Sequence, residues 1–216
     1  MIKKIIGTIS TRILSALLTL AIVLINGWFL GAGKVGTISL LILALTLIQM
    51  LNNFVGGAAL VYLFPRFSLA QLLIPAYVWA LLICFPGTLA LYLIHFIPSG
   101  YFWHIMILSL MLSLLSVNFM ILMGQERIKA YNMINLFQVL ILFGVLAFNL
   151  FVNGSREVGA YLTALYASYL FALIAGTWMM LKSTKLGKFK GAFNLLGEIF
   201  RYGGVMQAGN IIQFLN

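Results

Sequence analysis

Long apolar runs alternate along this chain with short polar turns. Inside one of them, residues 39–66, the polar positions follow a helical period. Gln49, Asn52, Asn53, Gly56 and Gly57 recur at i, i+3, i+4, i+7 and i+8, the spacing of one helix face. Met50, Leu51, Phe54 and Val55 stand between them, so the other faces are apolar. Carboxamides set against lipid tails leave hydrogen bonds unmet at high cost. The face therefore turns toward other helices or toward a water-filled cavity, and the two glycines admit a close neighbouring backbone. Glue between helices and the lining of a cavity both satisfy the pattern.

About 20 apolar residues cross a bilayer, and the runs predict six complete helices, at 7–31, 36–64, 69–97, 101–124, 130–152 and 159–181. A seventh starts near Leu195. The predicted fold is an all-α integral membrane protein, with a six-helix transmembrane lobe over 1–181, a basic amphipathic linker over 182–194 and the start of helix 7 over 195–216. The apolar stretch 13–30 exceeds the roughly 7–15 residues of a signal core, so the N-terminus reads as an uncleaved first helix.

Composition strengthens this reading. Hydrophobic residues make up 63% of the chain and charged residues 7%, against about 25% charged in ordinary soluble domains. Thirteen Lys and Arg face three Glu, for a formal charge of +10. With the spans in place, that excess reads as an orientation signal rather than a nucleic-acid surface. Eleven of the thirteen (Lys3, Lys4, Arg12, Arg66, Arg127, Lys129, Lys182, Lys185, Lys188, Lys190 and Arg201) fall on one side, with only Lys34 and Arg156 on the other. The N-terminus is therefore expected in the cytoplasm. Lys182, Lys185, Lys188 and Lys190 form a basic inner loop that attracts anionic lipid headgroups.

Further polar positions extend the seam. Helix 1 carries Thr8, Thr11, Arg12, Ser15, Thr19 and Asn26. Arg12 near its inner end either snorkels to the headgroups or turns inward as a cation. Pro86-Gly87 in the middle of helix 3 predicts a kink and a candidate hinge. Helix 4 aligns Ser109, Ser113 and Ser116, with Asn118 opposite. Helix 5 shows Asn135, Gln138 and Asn149 on one side. His95 and His104 flank a short outer turn without carboxylate or thiolate neighbours, which makes a poor metal site. The P-loop string is absent, and Glu126, Glu157 and Glu198 all lie in loops or at helix ends. No enzyme, cofactor or metal is expected from such a residue set, nor the buried carboxylate that commonly binds a driving cation.

Three stretches resemble bacterial polysaccharide and O-antigen flippases of the multidrug/oligosaccharidyl-lipid/polysaccharide exporter superfamily. In residues 29–40, Leu30-Gly31, a short polar turn and Gly36 are similar to the junction of helices 1 and 2 in these proteins. Gly56-Gly57-Ala58-Ala59 leading to Pro65-Arg66 resembles the end of their helix 2, and residues 201–216 resemble the start of their helix 7. The resemblance implies one lobe of a two-lobe exporter of twelve to fourteen helices in the bacterial cytoplasmic membrane. That exporter would move a lipid-linked oligosaccharide (a polyprenyl-pyrophosphate sugar) outward by alternating access, alongside polysaccharide polymerase machinery, for lipopolysaccharide and other surface polysaccharides. It places Gly203, Gln207 and Asn210 on an inward face and offers Arg12 as a cationic cavity residue. The expected substrate cavity draws on Arg12, Asn26, Gln49, Asn52, Asn53, Asn135, Gln138, Gln207 and Asn210. A multidrug antiporter and a non-transporting scaffold or assembly subunit are the alternatives.

Overall fold

The computed structural model describes residues 2–183, 186–187 and 192–215, with side chains described for 8–182, 186–187 and 192–207. Among these residues the chain forms helices α1 (Ile2–Leu30), α2 (Ala32–Gly56), α3 (Ala59–Leu63), α4 (Leu69–Leu93), α5 (Phe102–Gly124), α6 (Ile128–Phe151), α7 (Val158–Ser183) and α8 (Leu196–Leu215). A 3-10 turn, Ala192–Leu195, leads into α8. Six stretches are long and apolar enough to cross a membrane: Thr8–Leu30, Ala32–Leu63, Leu69–Leu93, Phe102–Gly124, Ile128–Phe151 and Val158–Lys182. The chain is a multi-pass membrane protein.

Two differences from the sequence reading have local causes. The helix expected over 36–64 is interrupted, so α2 and α3 share one span. The helix expected to reach residue 97 ends at Leu93. There His95 takes a left-handed φ of 57°, and its neighbour Phe96 donates its N–H to the Leu91 carbonyl at 2.9 Å. That closure satisfies a terminal carbonyl and turns the chain, which leaves Ile97 buried in the core. The one-residue reversal between α1 and α2 rests on Gly31, whose φ of 77° is open to glycine at no steric cost.

The helices pack in a connected series. α1 lies on α6, α6 on α7, α7 on α5, and α5 touches α2, α3 and α4. α8 closes over α2 and α3, while the 3-10 turn rests on α4. Helix 7 of the sequence reading therefore docks on the six-helix unit. Two apolar cores fill the bundle, one around Leu41, Ile48, Ile105 and Leu146, the other around Leu60, Leu72, Ile121 and Ile199. At one end Lys34 pairs with Glu157 at 2.9 Å. At the other, Arg127 and Gln125 donate to the carbonyls of Met179 and Met180.

Candidate functional site

The polar seam of α2 lies where the two apolar cores meet, and the helix breaks at its lower edge. Two successive glycines lower helix propensity by about 1 kcal/mol each. Gly57 leaves the helix in an extended conformation, φ −97° and ψ −152°. A Cβ on Gly57 would sit 2.3 Å from the Asn53 carbonyl oxygen, so this geometry requires glycine. Leu60 then donates to Gly57 and Val61 to Ala58, each at 3.1 Å, and α3 begins. None of the carbonyls of Phe54, Val55 and Gly56 accepts a backbone hydrogen bond from the residues after the break.

Three residues from other helices meet the end of α2. Gln207 of α8 donates to the Met50 carbonyl at 3.3 Å. Trp79 of α4 donates its indole N–H to the Leu51 carbonyl at 3.3 Å, and its ring meets Phe200 edge-on at 4.8 Å. Gly203 lies against the Phe54 carbonyl, closely enough that a Cβ would come within 1.9 Å of the oxygen. On the far side of the break, Tyr202 packs against Tyr62 of α3 at 4.8 Å. α8 therefore contacts both halves of the interrupted span.

A cavity of about 80 Å³ opens between these elements, lined by Asn53, Gly57, Ala58, Met120, Met206 and Gln207. A water needs only about 10–15 Å³ of such space, so the cavity has room for several. Gln49 stands one turn above and donates to the Asn53 carboxamide at 3.0 Å, and Ser113 of α5 donates to Gln49 at 3.4 Å. The serine also contacts Cys84 of α4 at 3.5 Å.

Of the residues expected in the cavity, Asn53 and Gln207 line it and Gln49 supports it. Asn52 does not. It is fully buried, and neither its amide nitrogen nor its amide oxygen has a hydrogen-bond partner. Such a group carries a desolvation cost of about 1–3 kcal/mol. Asn52→Leu, close in shape and free of that cost, is expected to leave stability unchanged or raise it, as read by thermal unfolding of the detergent-solubilised protein.

The remaining candidates lie elsewhere. Arg12 is exposed on α1. Asn26 is buried in α1 with an unpartnered amide oxygen. Asn135 and Gln138 are half-buried on α6, which packs on α1 and α7. There Asn132 makes the interhelical bond, donating to Thr8 of α1 at 3.0 Å. The side chain of Asn210 lies outside the described residues, as do Lys185, Lys188 and Lys190. Lys182 closes α7 with its ammonium 5.1 Å over the Trp178 ring. The hinge pair Pro86 and Gly87 sits within α4, which runs unbroken through both of its prolines.

Sequence reasoning placed Asn118 opposite the serines of α5 and missed that it joins three helices. Asn118, fully buried on α5, accepts a hydrogen bond from the Tyr77 hydroxyl of α4. It also donates to the Thr177 hydroxyl of α7 at 2.9 Å. These partners lie 41 and 59 positions away, and no short-range spacing reports such a contact. Against protein-family models, curated proteins and solved structures, the chain has no match.

Proposed function

We propose that the chain is a lobe of an exporter that carries a lipid-linked oligosaccharide outward across the bacterial cytoplasmic membrane, for O-antigen or other surface polysaccharide. The observation that carries this reading is the interrupted α2. Discontinuous spanning helices mark substrate and ion sites in transporters, because unwound backbone is tolerated in a membrane where it lines a cavity. In this chain the interruption coincides with the polar seam and with Gln207 of α8. The resemblance of residues 29–40, the Gly56 to Arg66 stretch and residues 201–216 to flippases points the same way. A cytoplasmic N-terminus follows from the basic residues gathered on one side. The cavity at the break is small, about 80 Å³. The headgroup path is therefore assigned to a wider space that this lobe borders together with a second one, with Asn53 and Gln207 at its wall.

The test uses proteoliposomes containing a fluorescent polyprenyl-pyrophosphate oligosaccharide, with headgroups quenched from one side. The wild-type lobe, assembled with the second lobe that completes the path, is expected to expose the inner pool. Asn53→Leu and Gln207→Leu are expected to slow that exposure at least tenfold while inserting normally. A specific observation favours the scaffold alternative: Gln49, Asn53 and Ser113 already bond to one another, as gluing groups do. Wild-type protein that moves no lipid-linked sugar, with variants that only lower the melting temperature, would establish the scaffold. Movement of small cationic drugs in place of the sugar would establish the antiporter.

A further inference from the structure

We infer that Asn153 is a site of spontaneous deamidation, which converts the α6–α7 connection from a neutral to an acidic tip as the protein ages. The chain contains two Asn-Gly pairs, Asn26-Gly27 and Asn153-Gly154. This dipeptide is prone to the reaction because glycine has no Cβ to hinder attack by its own amide nitrogen. As dipeptides the two are equivalent. The structure separates them.

Asn26 is buried within α1, inside the span Thr8–Leu30. The N–H of Gly27 belongs to the helix ladder and must leave the carbonyl of the preceding turn before its nitrogen can attack. Water, which the reaction consumes, is excluded from the interior of a bilayer. Asn153 and Gly154 lie beyond the end of α6, both exposed, with Arg156 and Glu157 exposed beside them. Gly154 holds a left-handed φ of 63°, with open space where a Cβ would stand. Among the described residues no backbone carbonyl accepts from its N–H. The nucleophile is free, and water reaches it.

The Gly154 nitrogen gives its proton to solvent base and bonds to Cγ of Asn153. The Cγ–Nδ2 bond breaks, and Nδ2 takes up a proton and leaves as ammonia. Water then opens the cyclic imide. Cleavage between the nitrogen and Cγ yields Asp, while cleavage at the main-chain carbonyl yields isoaspartate, whose backbone runs through Cβ and Cγ. One water enters and one ammonia leaves.

Either product disturbs the bonds that close the tip. Asn153 donates Nδ2 to Asn149 Oδ1 at 3.1 Å, and Asn149 donates in turn to the Ala160 carbonyl at 3.2 Å and the Thr163 hydroxyl at 2.8 Å. Loss of Nδ2 removes the first bond and sets two acceptors against each other. The new charge stands at the C-terminal end of α6, where the helix dipole disfavours an anion. Isoaspartate also lengthens the chain inside the closure of the Ser155 N–H on the Asn149 carbonyl, 3.0 Å. The α6–α7 contact therefore loosens at this end, beside Lys34, which donates to the Arg156 carbonyl and to Glu157. None of this depends on what the protein carries.

The experiment follows the full chain in lipid nanodiscs, incubated at neutral and at mildly alkaline pH. Peptide mass spectrometry with enzymatic isoaspartyl methylation measures amide loss at each asparagine. Asn153 is expected to convert faster at alkaline pH, and at least about tenfold faster than Asn26, whose reaction waits on local opening of α1. In the chain unfolded in guanidinium chloride the two are expected to convert at similar rates. Asn153→Gln, which would have to close a larger ring, is expected to abolish conversion at that position. Fresh Asn153→Asp protein is expected to exchange amide hydrogens over residues 155–163 about two- to fivefold faster than wild type. An Asn153 amide that stays intact in nanodiscs, over a period in which the unfolded chain converts, would overturn the inference. So would equal rates at Asn26 and Asn153 in the folded protein. Unchanged exchange in Asn153→Asp would overturn the loosening of the tip.

Discussion

Gly203→Ala is expected to loosen α8 from the bundle, whereas Gly204→Ala, one residue along, is expected to be tolerated. A methyl group at 203 would lie 1.9 Å from the Phe54 carbonyl oxygen and 2.8 Å from its carbon, both backbone atoms. A flexible side chain could swing aside at small cost, but a helix backbone moves only with its neighbours. The adjustment therefore falls on the α2–α8 contact as a whole, where overpacking costs about 1–3 kcal/mol and occasionally more. It would also pull Gln207 from Met50 and Tyr202 from Tyr62. Gly204 has open space where its Cβ would go, and alanine there favours helix by about 0.5–1 kcal/mol. Hydrogen exchange in nanodiscs separates the two. Residues 200–207 and 54–58 should exchange at least tenfold faster in Gly203→Ala, which corresponds to about 1.4 kcal/mol of opening, and no faster in Gly204→Ala. Equal protection in both variants would mean that α8 is not held by close backbone contact.

Asn118→Leu is expected to be the most damaging single side-chain change in the middle of the bundle. Asn118 bonds to both α4 and α7, and Leu of similar size satisfies neither the Tyr77 hydroxyl nor the Thr177 hydroxyl. Interhelical hydrogen bonds in membranes contribute about 0.6 kcal/mol on average and up to about 1.7. Losing two, with their partners left buried, should cost about 1–3 kcal/mol. Gly176 packs at the same level, its would-be Cβ 3.6 Å from that of Asn118, so a branched side chain also meets a close helix surface. Reversible unfolding in mixed micelles measures the loss. A double-mutant cycle with Tyr77→Phe isolates the α4–α5 bond, and a coupling indistinguishable from zero would show that the contact adds nothing to stability. Neither variant touches the cavity at the break, so transport per folded molecule should stay near wild type.

The spans were legible in the sequence because burial in lipid is a one-dimensional constraint. Any stretch that crosses must be apolar over its whole length and must satisfy its backbone internally, so the six runs and their turns appear as composition. Helix ends fell within a few residues wherever charge or proline punctuated the chain, as at Gly124 and Leu69. The end at Leu93 did not, because His95 in a left-handed conformation closes α4 without glycine. The grouping of Gln49 with Asn53 was likewise readable, since both lie on one helix at i and i+4.

What tertiary structure alone decided is which polar residue faces which neighbour. Asn52 and Asn53 are adjacent in the chain, yet one is fully buried without a hydrogen-bond partner and the other opens into a cavity. A helix turns about 100° per residue, and only the positions of α5 and α8 fix what each direction meets. The same holds for Gly56-Gly57. The pair is compatible with close packing inside a continuous helix, and the sequence reads it so. In the structure it is a break that only glycine fits: Val117 and Asn52 crowd Gly56, and the Asn53 carbonyl leaves no room for a side chain at Gly57. The sequence by itself determined that this chain lives in a membrane, how many times it can cross, and that polar groups must be hidden within it. The packing of helices distant in sequence determined where those groups meet, because a hydrogen bond or a backbone contact in lipid depends on distance in space.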